Sequence, residues 1–187
     1  MAFLFFEINY NMQLDNYIRV YDDILTEEFC KNLIWQFGQA VNVHRHDSLN
    51  LSFDQVNMNH TQMFRPYMNQ IFDTCEFIKH RYFEDCKIKY IPKYAYEVCK
   101  MKKYTSNKDH FDTHIDSADI ATGHRFLVIL FYLNTVEEGE TEFTELGIKI
   151  PARQGSVLVF PSNFLYPHKG NIPLQDKYIF STYLLCD

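Results

Sequence analysis

The sequence predicts an α+β chain dominated by strands, an antiparallel sandwich or jelly roll backed by two helices. Three observations carry that expectation. After Pro92 the chain becomes a series of short β-branched and aromatic segments separated by turn residues. Two segments with helical periodicity come before it. Aromatic residues make up 17% of the chain while Gly and Pro number six each, so rings build the core.

The opening MAFLFFEINYN has no basic leader region and no small-residue cleavage site, and it reads as a first strand. YIRVY, at 17–21, alternates like a second. Thr26 followed by Glu27 and Glu28 supplies an N-cap with acids in the first turn, so a helix is expected over about 27–37, with Trp35 as a core anchor. Residues 41–53 are rich in His, Asn and Ser without a period and are expected to form a loop. Phe64, Tyr67, Met68, Ile71, Cys75, Ile78 and Tyr82 recur at three and four residue steps, predicting a helix over about 59–83 whose apolar stripe packs on something flat. Strands are expected at 94–104, 110–116, 125–133, 141–143, 148–150, 156–160 and 177–184. At 187 residues the chain is expected to be one domain, helical support to about residue 92 and strands beyond it.

Composition excludes several classes of function. A net charge of −6 is the wrong sign for a broad nucleic-acid face, and the Lys100, Lys102, Lys103 cluster reads as the solvated part of a strand. Five cysteines, an odd number without a C-x-x-C pair, indicate neither a disulfide framework nor a zinc knuckle, so a reducing, cytoplasmic setting is expected. No apolar run approaches the ~18 residues a membrane span needs. Neither a nucleic acid nor a membrane is an expected partner, and the oligomeric state stays open. Abundant Phe, Tyr, Asn and Ile with little Ala and Gly suggest an AT-rich coding sequence, such as a viral one.

The chemistry is carried by spacing. His114 and Asp116 are two apart on an expected strand, so both side chains share a face about 6 to 7 Å apart, and a metal can sit between them. A third ligand from a distant strand, with His168 as the candidate, would complete a two-His, one-carboxylate face. That arrangement leaves positions open and belongs to non-haem Fe(II) oxygenases. His110 and Asp112 spell the same pattern four residues upstream and compete for the role. His44, His46, His60, His80 and His124 are read as surface or structural.

Around these residues the sequence resembles the 2-oxoglutarate/Fe(II)-dependent dioxygenase superfamily, in its prolyl 4-hydroxylase-like branch, over most of the chain. YIRVYDDILTEEFCKNLI is similar to that family's opening strand and helix, FDTHID to its first metal motif, and FLVILFYLNTVEEGETEF to its central strand and turn. IKIPARQGSVLVF, then PHKG and Lys177, follow in the family's order. The resemblance implies a double-stranded β-helix, a cupin-like jelly roll, with two supporting N-terminal helices. It implies a hydroxylase using Fe(II), 2-oxoglutarate and O2, with ascorbate as a possible accessory. It places His114, Asp116 and His168 on iron, Phe111 being the aromatic that precedes the metal histidine. Lys177 would pair with the distal carboxylate of 2-oxoglutarate, assisted by Tyr104 and, more weakly, Thr141; a buried dicarboxylate needs such donors to replace lost hydration.

Departures bear on the substrate. The turn EEGETEF has one Gly where relatives often carry two. Tyr183 stands where relatives often have Trp, and Leu185 where peptide hydroxylases tend to carry His. Arg125 aligns with a family arginine linked to substrate contact, and an exposed strand-end role is open to it too. The segments 84–93 and 117–124 should flank the mouth, with Tyr94, Tyr96, Phe111 and Tyr183 as apolar walls. The expected substrate is a proline-like ring in an extended peptide. The alternatives are a free amino acid or other small molecule and, from another class, a catalytically inactive jelly roll that only binds.

Overall fold

The computed structural model describes residues 13–186, so the strand expected at the N-terminus lies outside the described residues. The elements in order are β1 (Arg19–Tyr21), α1 (Glu27–Gln39), β2 (His44–Asp47), β3 (Ser52–Asn57), α2 (Met68–Asp85), β4 (Tyr94–Tyr96), β5 (Lys100–Tyr104), β6 (Phe111–His114), β7 (Arg125–Tyr132), β8 (Thr141–Phe143), β9 (Ile148–Ile150), β10 (Val157–Pro161), β11 (His168–Gly170) and β12 (Lys177–Cys186). Short 3-10 turns sit at Leu14–Tyr17, Met58–His60 and Gln62–Tyr67.

The strands form two sheets. The major one runs β1-β10-β7-β12-β5-β3-β2, with β4 on the far end of β12, and the minor one runs β6-β11-β8-β9. Every pairing is antiparallel. This is the jelly-roll arrangement expected of the sequence, with helices on the outer face of the major sheet.

Period-two alternation sorts the central strands into two cores. On β7, Leu127, Ile129 and Phe131 face the helices, packing with Leu33, Phe37, Ile71 and Ile78. Val128, Leu130 and Tyr132 face the minor sheet, with Phe143, Phe160 and Tyr183. On β12, Phe180 and Leu184 join the first core, Ile179 and Tyr183 the second. Phe131 and Phe180 stack across the two strands at 4.2 Å. The functional residues lie on the inter-sheet side.

The helices follow from their caps and stripes. The Thr26 hydroxyl accepts the Phe29 amide at 3.2 Å, fixing the start of α1, and Phe29, Cys30, Leu33 and Phe37 form its buried face. Trp35 is not a core anchor: it lies off that stripe and is 61% exposed. The second helix starts at Met68, not near residue 59. Pro66 has no N–H to give, so the chain before it winds as 3-10 turns.

Residues 41–53 are not a loop. They carry β2 and the start of β3, a ribbon added to β5, so the first half of the chain is not purely helical support. The polar residues that hid it have partners: Arg45 makes two 2.7 Å bonds to the buried Asp109, and His46 packs on Phe53 at 4.8 Å. Arg45 holds the Asp109 carboxyl well below the usual range despite burial. The expected strand at 94–104 divides into β4 and β5, and β11 was not anticipated.

Gly155 closes the turn into β10 with φ +80, and an added Cβ would lie 2.4 Å from the Leu25 carbonyl oxygen. That oxygen belongs to a segment held by Gly155, whose own carbonyl accepts the Ile24 and Leu25 amides. Gly155→Ala therefore combines left-handed strain with a backbone clash. A loss of more than about 2 kcal/mol by denaturant unfolding is expected.

Candidate active site

One cavity between the sheets is lined by Lys102, Tyr104, Phe111, His114, Asp116, Thr141, His168, Lys177 and Tyr183, among others. Strand pairing assembles it. His168 on β11 lies opposite His114 on β6, which brings residues more than fifty positions apart into register. Asp116 is not on the strand, because β6 ends at His114 and Asp116 sits in the following bend. Its placement comes from two contacts instead: the Tyr183 hydroxyl donates to Asp116 Oδ1 at 2.8 Å, and Arg125 Nη1 donates to the Asp116 carbonyl at 3.0 Å.

His114, Asp116 and His168 each offer a ligand atom, and these atoms lie within 4.8 Å of one another. The tautomers are set by the backbone. His114 Nδ1 donates to the Asp112 carbonyl at 2.8 Å and His168 Nδ1 to the Tyr166 carbonyl at 3.1 Å, so both Nε2 lone pairs are free. They approach Asp116 at 3.9 and 3.4 Å. Burial, then the neighbouring His168, pulls the His114 pKa down to about 4, keeping it neutral as a metal ligand requires.

The carboxylate supplies the test of fit. Asp116 Oδ2 is buried with no hydrogen-bond partner, an arrangement that is costly unless a cation fills it. Two imidazole nitrogens and one carboxylate oxygen with open positions suit non-haem iron(II). The competing pair does not converge: His110 and Asp112 lie 3.6 Å apart at the surface, and His110 contacts Ser52 and the Leu49 carbonyl. Phe111 stacks on the His114 ring at 3.7 Å, while Phe160 packs edge-on to His168 at 4.7 Å, so both imidazoles are held by rings.

At the other end of the cavity Lys177 is 2% exposed and lies opposite Tyr104 in the β12–β5 register. Its ammonium donates to the Gly139 carbonyl at 2.8 Å and sits 4.6 Å from the Tyr104 ring. Burial pulls its pKa down to about 7. Tyr132, which sequence reasoning did not single out, donates to the Thr141 hydroxyl at 2.7 Å and fixes it against the cavity. The cavity is small and largely enclosed, with room for water-sized groups.

The remaining expected residues fall in different places. Arg125 is not an exposed strand end: it grips Glu97 through two bonds of 2.6 and 2.8 Å and lies 3.9 Å over the Tyr183 ring. Glu97 was the missed member of this chain of contacts. Burial and then the Asp116 charge push the Tyr183 hydroxyl pKa well above its usual value, so it stays a donor. Tyr96 turns away to bond Glu76 on α2 at 2.7 Å. Tyr94 lines a second, more open groove of about 510 Å³ with Lys93, Ala121, His124, Arg125 and Leu185. Lys102 is not on a solvated face. It turns into the cavity, its ammonium 4.9 Å from the Phe53 ring and 5.4 Å from the Phe111 ring.

Two imidazoles beside a buried, half-satisfied carboxylate, with a buried lysine in the same cavity, make an arrangement that suits the chemistry of a 2-oxoglutarate- and Fe(II)-dependent oxygenase. Residues 99–185, just under half of the chain, match the family described as the 2OG-Fe(II) oxygenase superfamily. No curated protein matches at the sequence level. Among solved structures, the viral collagen prolyl hydroxylase of Paramecium Bursaria Chlorella virus-1, in its 2OG complex, is similar with a TM-score of 0.69 at 19% identity, over 91% of this chain and 97% of that one. A Pseudomonas putida prolyl-4-hydroxylase gives 0.68 at 12% identity over 91% and 93%. The Trichoplax adhaerens prolyl hydroxylase, in complex with a hypoxia inducible factor oxygen degradation domain peptide fragment, gives 0.67 at 14% over 91% and 84%. At these identities the likeness is one of fold. Among the described residues no helix is long and apolar enough to cross a membrane.

Proposed function

We propose that the chain hydroxylates an aliphatic C–H bond of a peptide, with a proline-like ring as the group oxidised. His114, Asp116 and His168 would hold Fe(II), and Lys177, with Tyr104 and Thr141, the distal carboxylate of 2-oxoglutarate. When bound, iron and 2-oxoglutarate together turn O2 into an oxidant for a C–H bond, with 2-oxoglutarate leaving as succinate and CO2. The protein's part is geometric and electrostatic. His114 and His168, each bonded through Nδ1 to a backbone carbonyl, present Nε2, Tyr183 holds one oxygen of Asp116 so that the other stays free for a cation, and the Phe111 and Phe160 rings pack on the imidazoles.

The observation that carries the peptide reading is the open groove beside the cavity. It shares Arg125 with the contacts that place Asp116, and Leu185 gives it an apolar floor, so an extended chain lying there would pass next to the iron corner. A rigid apolar ring suits Tyr183 and Phe111 because it loses little conformational entropy on binding. The prolyl hydroxylase folds of the neighbours, one holding a peptide, support the same choice.

Proline-rich peptides and free L-proline, each incubated with enzyme, Fe(II), 2-oxoglutarate and O2, give the test by mass spectrometry. A gain of one oxygen on the peptide alone is the expected result. A gain on free proline alone moves the substrate to the small-molecule class, and succinate formation with neither product modified removes proline as the target.

A further inference from the structure

Lys102 lines the cavity but has no part in the site as described above. On β5 it alternates with Met101, which enters the helix-side core, so Lys102 and Tyr104 share the inter-sheet face. Lys102 lies opposite Ile179 while Tyr104 lies opposite Lys177, which separates the two lysines by one pleat, about 6 to 7 Å along the strands. Its ammonium rests over Phe111, the ring that stacks on His114, and so stands toward the metal end of the cavity.

The charged and titratable groups around Lys102 are Asp116, Glu97, Lys100, Arg125, Lys177, His46 and His114. Neither acid is available to it. Glu97 takes both bonds of Arg125 and a third from Lys100 at 2.7 Å, and Asp116 is bonded to Tyr183 through Oδ1 with Oδ2 facing the His168 imidazole at 3.4 Å. Iron(II) and Lys177 bring three positive charges, which Asp116 and the 2-oxoglutarate dianion match. Lys102 is one positive charge over, partly buried among rings, and such a charge is retained only where something negative meets it.

We propose that Lys102 forms an anion subsite for the molecule being oxidised, and that this molecule carries a carboxylate next to the carbon attacked. The inference rests on the oxygenase reading above, with 2-oxoglutarate at Lys177. The carboxylate comes either from a free amino acid or from an acidic side chain beside the target residue of a peptide.

Calorimetry on the Mn(II)- and 2-oxoglutarate-loaded protein, without O2, separates these sources and needs no turnover. The probes are the free L-amino acids against their amides, and end-blocked proline peptides with Asp against Asn beside the proline. At least one carboxylate probe is expected to bind about tenfold or more tightly than its amide partner. Lys102→Met should erase that preference, Lys102→Arg should keep it, and 2-oxoglutarate affinity should stay within about twofold in both variants. Preference among the free amino acids assigns the carboxylate to a small molecule, and preference among the peptides assigns it to an acidic side chain. A panel in which no carboxylate is preferred overturns the proposal. So does a preference that survives Lys102→Met, or a Lys102→Met protein that loses 2-oxoglutarate instead. Failure of the wild-type Mn(II) protein to bind 2-oxoglutarate at all would strike the oxygenase reading itself, a separate result.

Discussion

Asp116→Ala is expected to abolish Fe(II)-dependent turnover of 2-oxoglutarate, lowering succinate release by more than about a hundredfold, while Asp112→Ala leaves most of it. The two carboxylates sit in equivalent H-x-D patterns but in opposite environments. Asp116 is 8% exposed, with one oxygen bonded to Tyr183 and the other unpartnered and 3.4 Å from the His168 Nε2. The Asp112 side chain is at the surface, and its contribution to the site is its backbone carbonyl, which any residue at that position supplies. Mn(II) binding by paramagnetic resonance should separate the variants in the same way, and it reports the site without any substrate. Unfolding midpoints control for folding: Asp116→Ala removes an unpartnered carboxylate oxygen but also the acceptor of the buried Tyr183 hydroxyl, so a loss of about 1 to 3 kcal/mol is expected with the fold retained. Asp112→Ala losing metal while Asp116→Ala keeps it would move the site to the upstream pair.

The elements legible in the sequence were those whose residues face two cores. β7 and β12 are long, β-branched and aromatic on both faces, and period two alone places Ile129 and Phe180 on one side and Leu130 and Tyr183 on the other. The His114–His168 pair was legible too, because a neighbouring strand can bring a second imidazole beside His114. The ribbon of β2 and β3 was hidden because its outer residues are polar and satisfied by distant partners, Arg45 by Asp109, which leaves no apolar alternation to read. β11 is three residues long and owes its existence to β6 and β8 on either side, a tertiary cause with no local signature. Trp35 and Lys102 were legible and misread. Phe29, Leu33 and Phe37 recur every four residues and Trp35 falls off that stripe. Lys102 shares its face with Tyr104 by simple alternation, yet a run of three lysines suggests solvent. The position of Asp116 was hidden, since it depends on Tyr183 and on the Glu97–Arg125 pair rather than on strand geometry.

Lys177→Ala is expected to weaken 2-oxoglutarate binding to the Mn(II)-loaded protein by about tenfold or more, to leave Mn(II) binding nearly intact, and to make the protein more stable. The first two effects follow from position: Lys177 lies at the end of the cavity away from His114 and Asp116, so it meets the distal carboxylate and not the metal. The third follows from burial. Its ammonium finds the Gly139 carbonyl but no carboxylate within bonding distance among the described residues, and its pKa falls from 10.5 in the unfolded chain to about 7. Between those values the unfolded chain binds the extra proton, so stability rises with pH across that window and the full penalty is present below about pH 7. Removing the side chain removes both the penalty and the slope, and thermal unfolding measured at several pH values reads both. The same titration shapes cosubstrate binding with the opposite sign. The cosubstrate dianion selects the protonated lysine, so above about pH 7 the wild-type affinity should weaken by up to about tenfold per pH unit. In Lys177→Ala that dependence should be gone. A variant that is less stable than wild type, or one that binds 2-oxoglutarate equally well, would show that Lys177 is a structural residue of the β12–β5 pairing and would shift the search for the cosubstrate cation to Lys102.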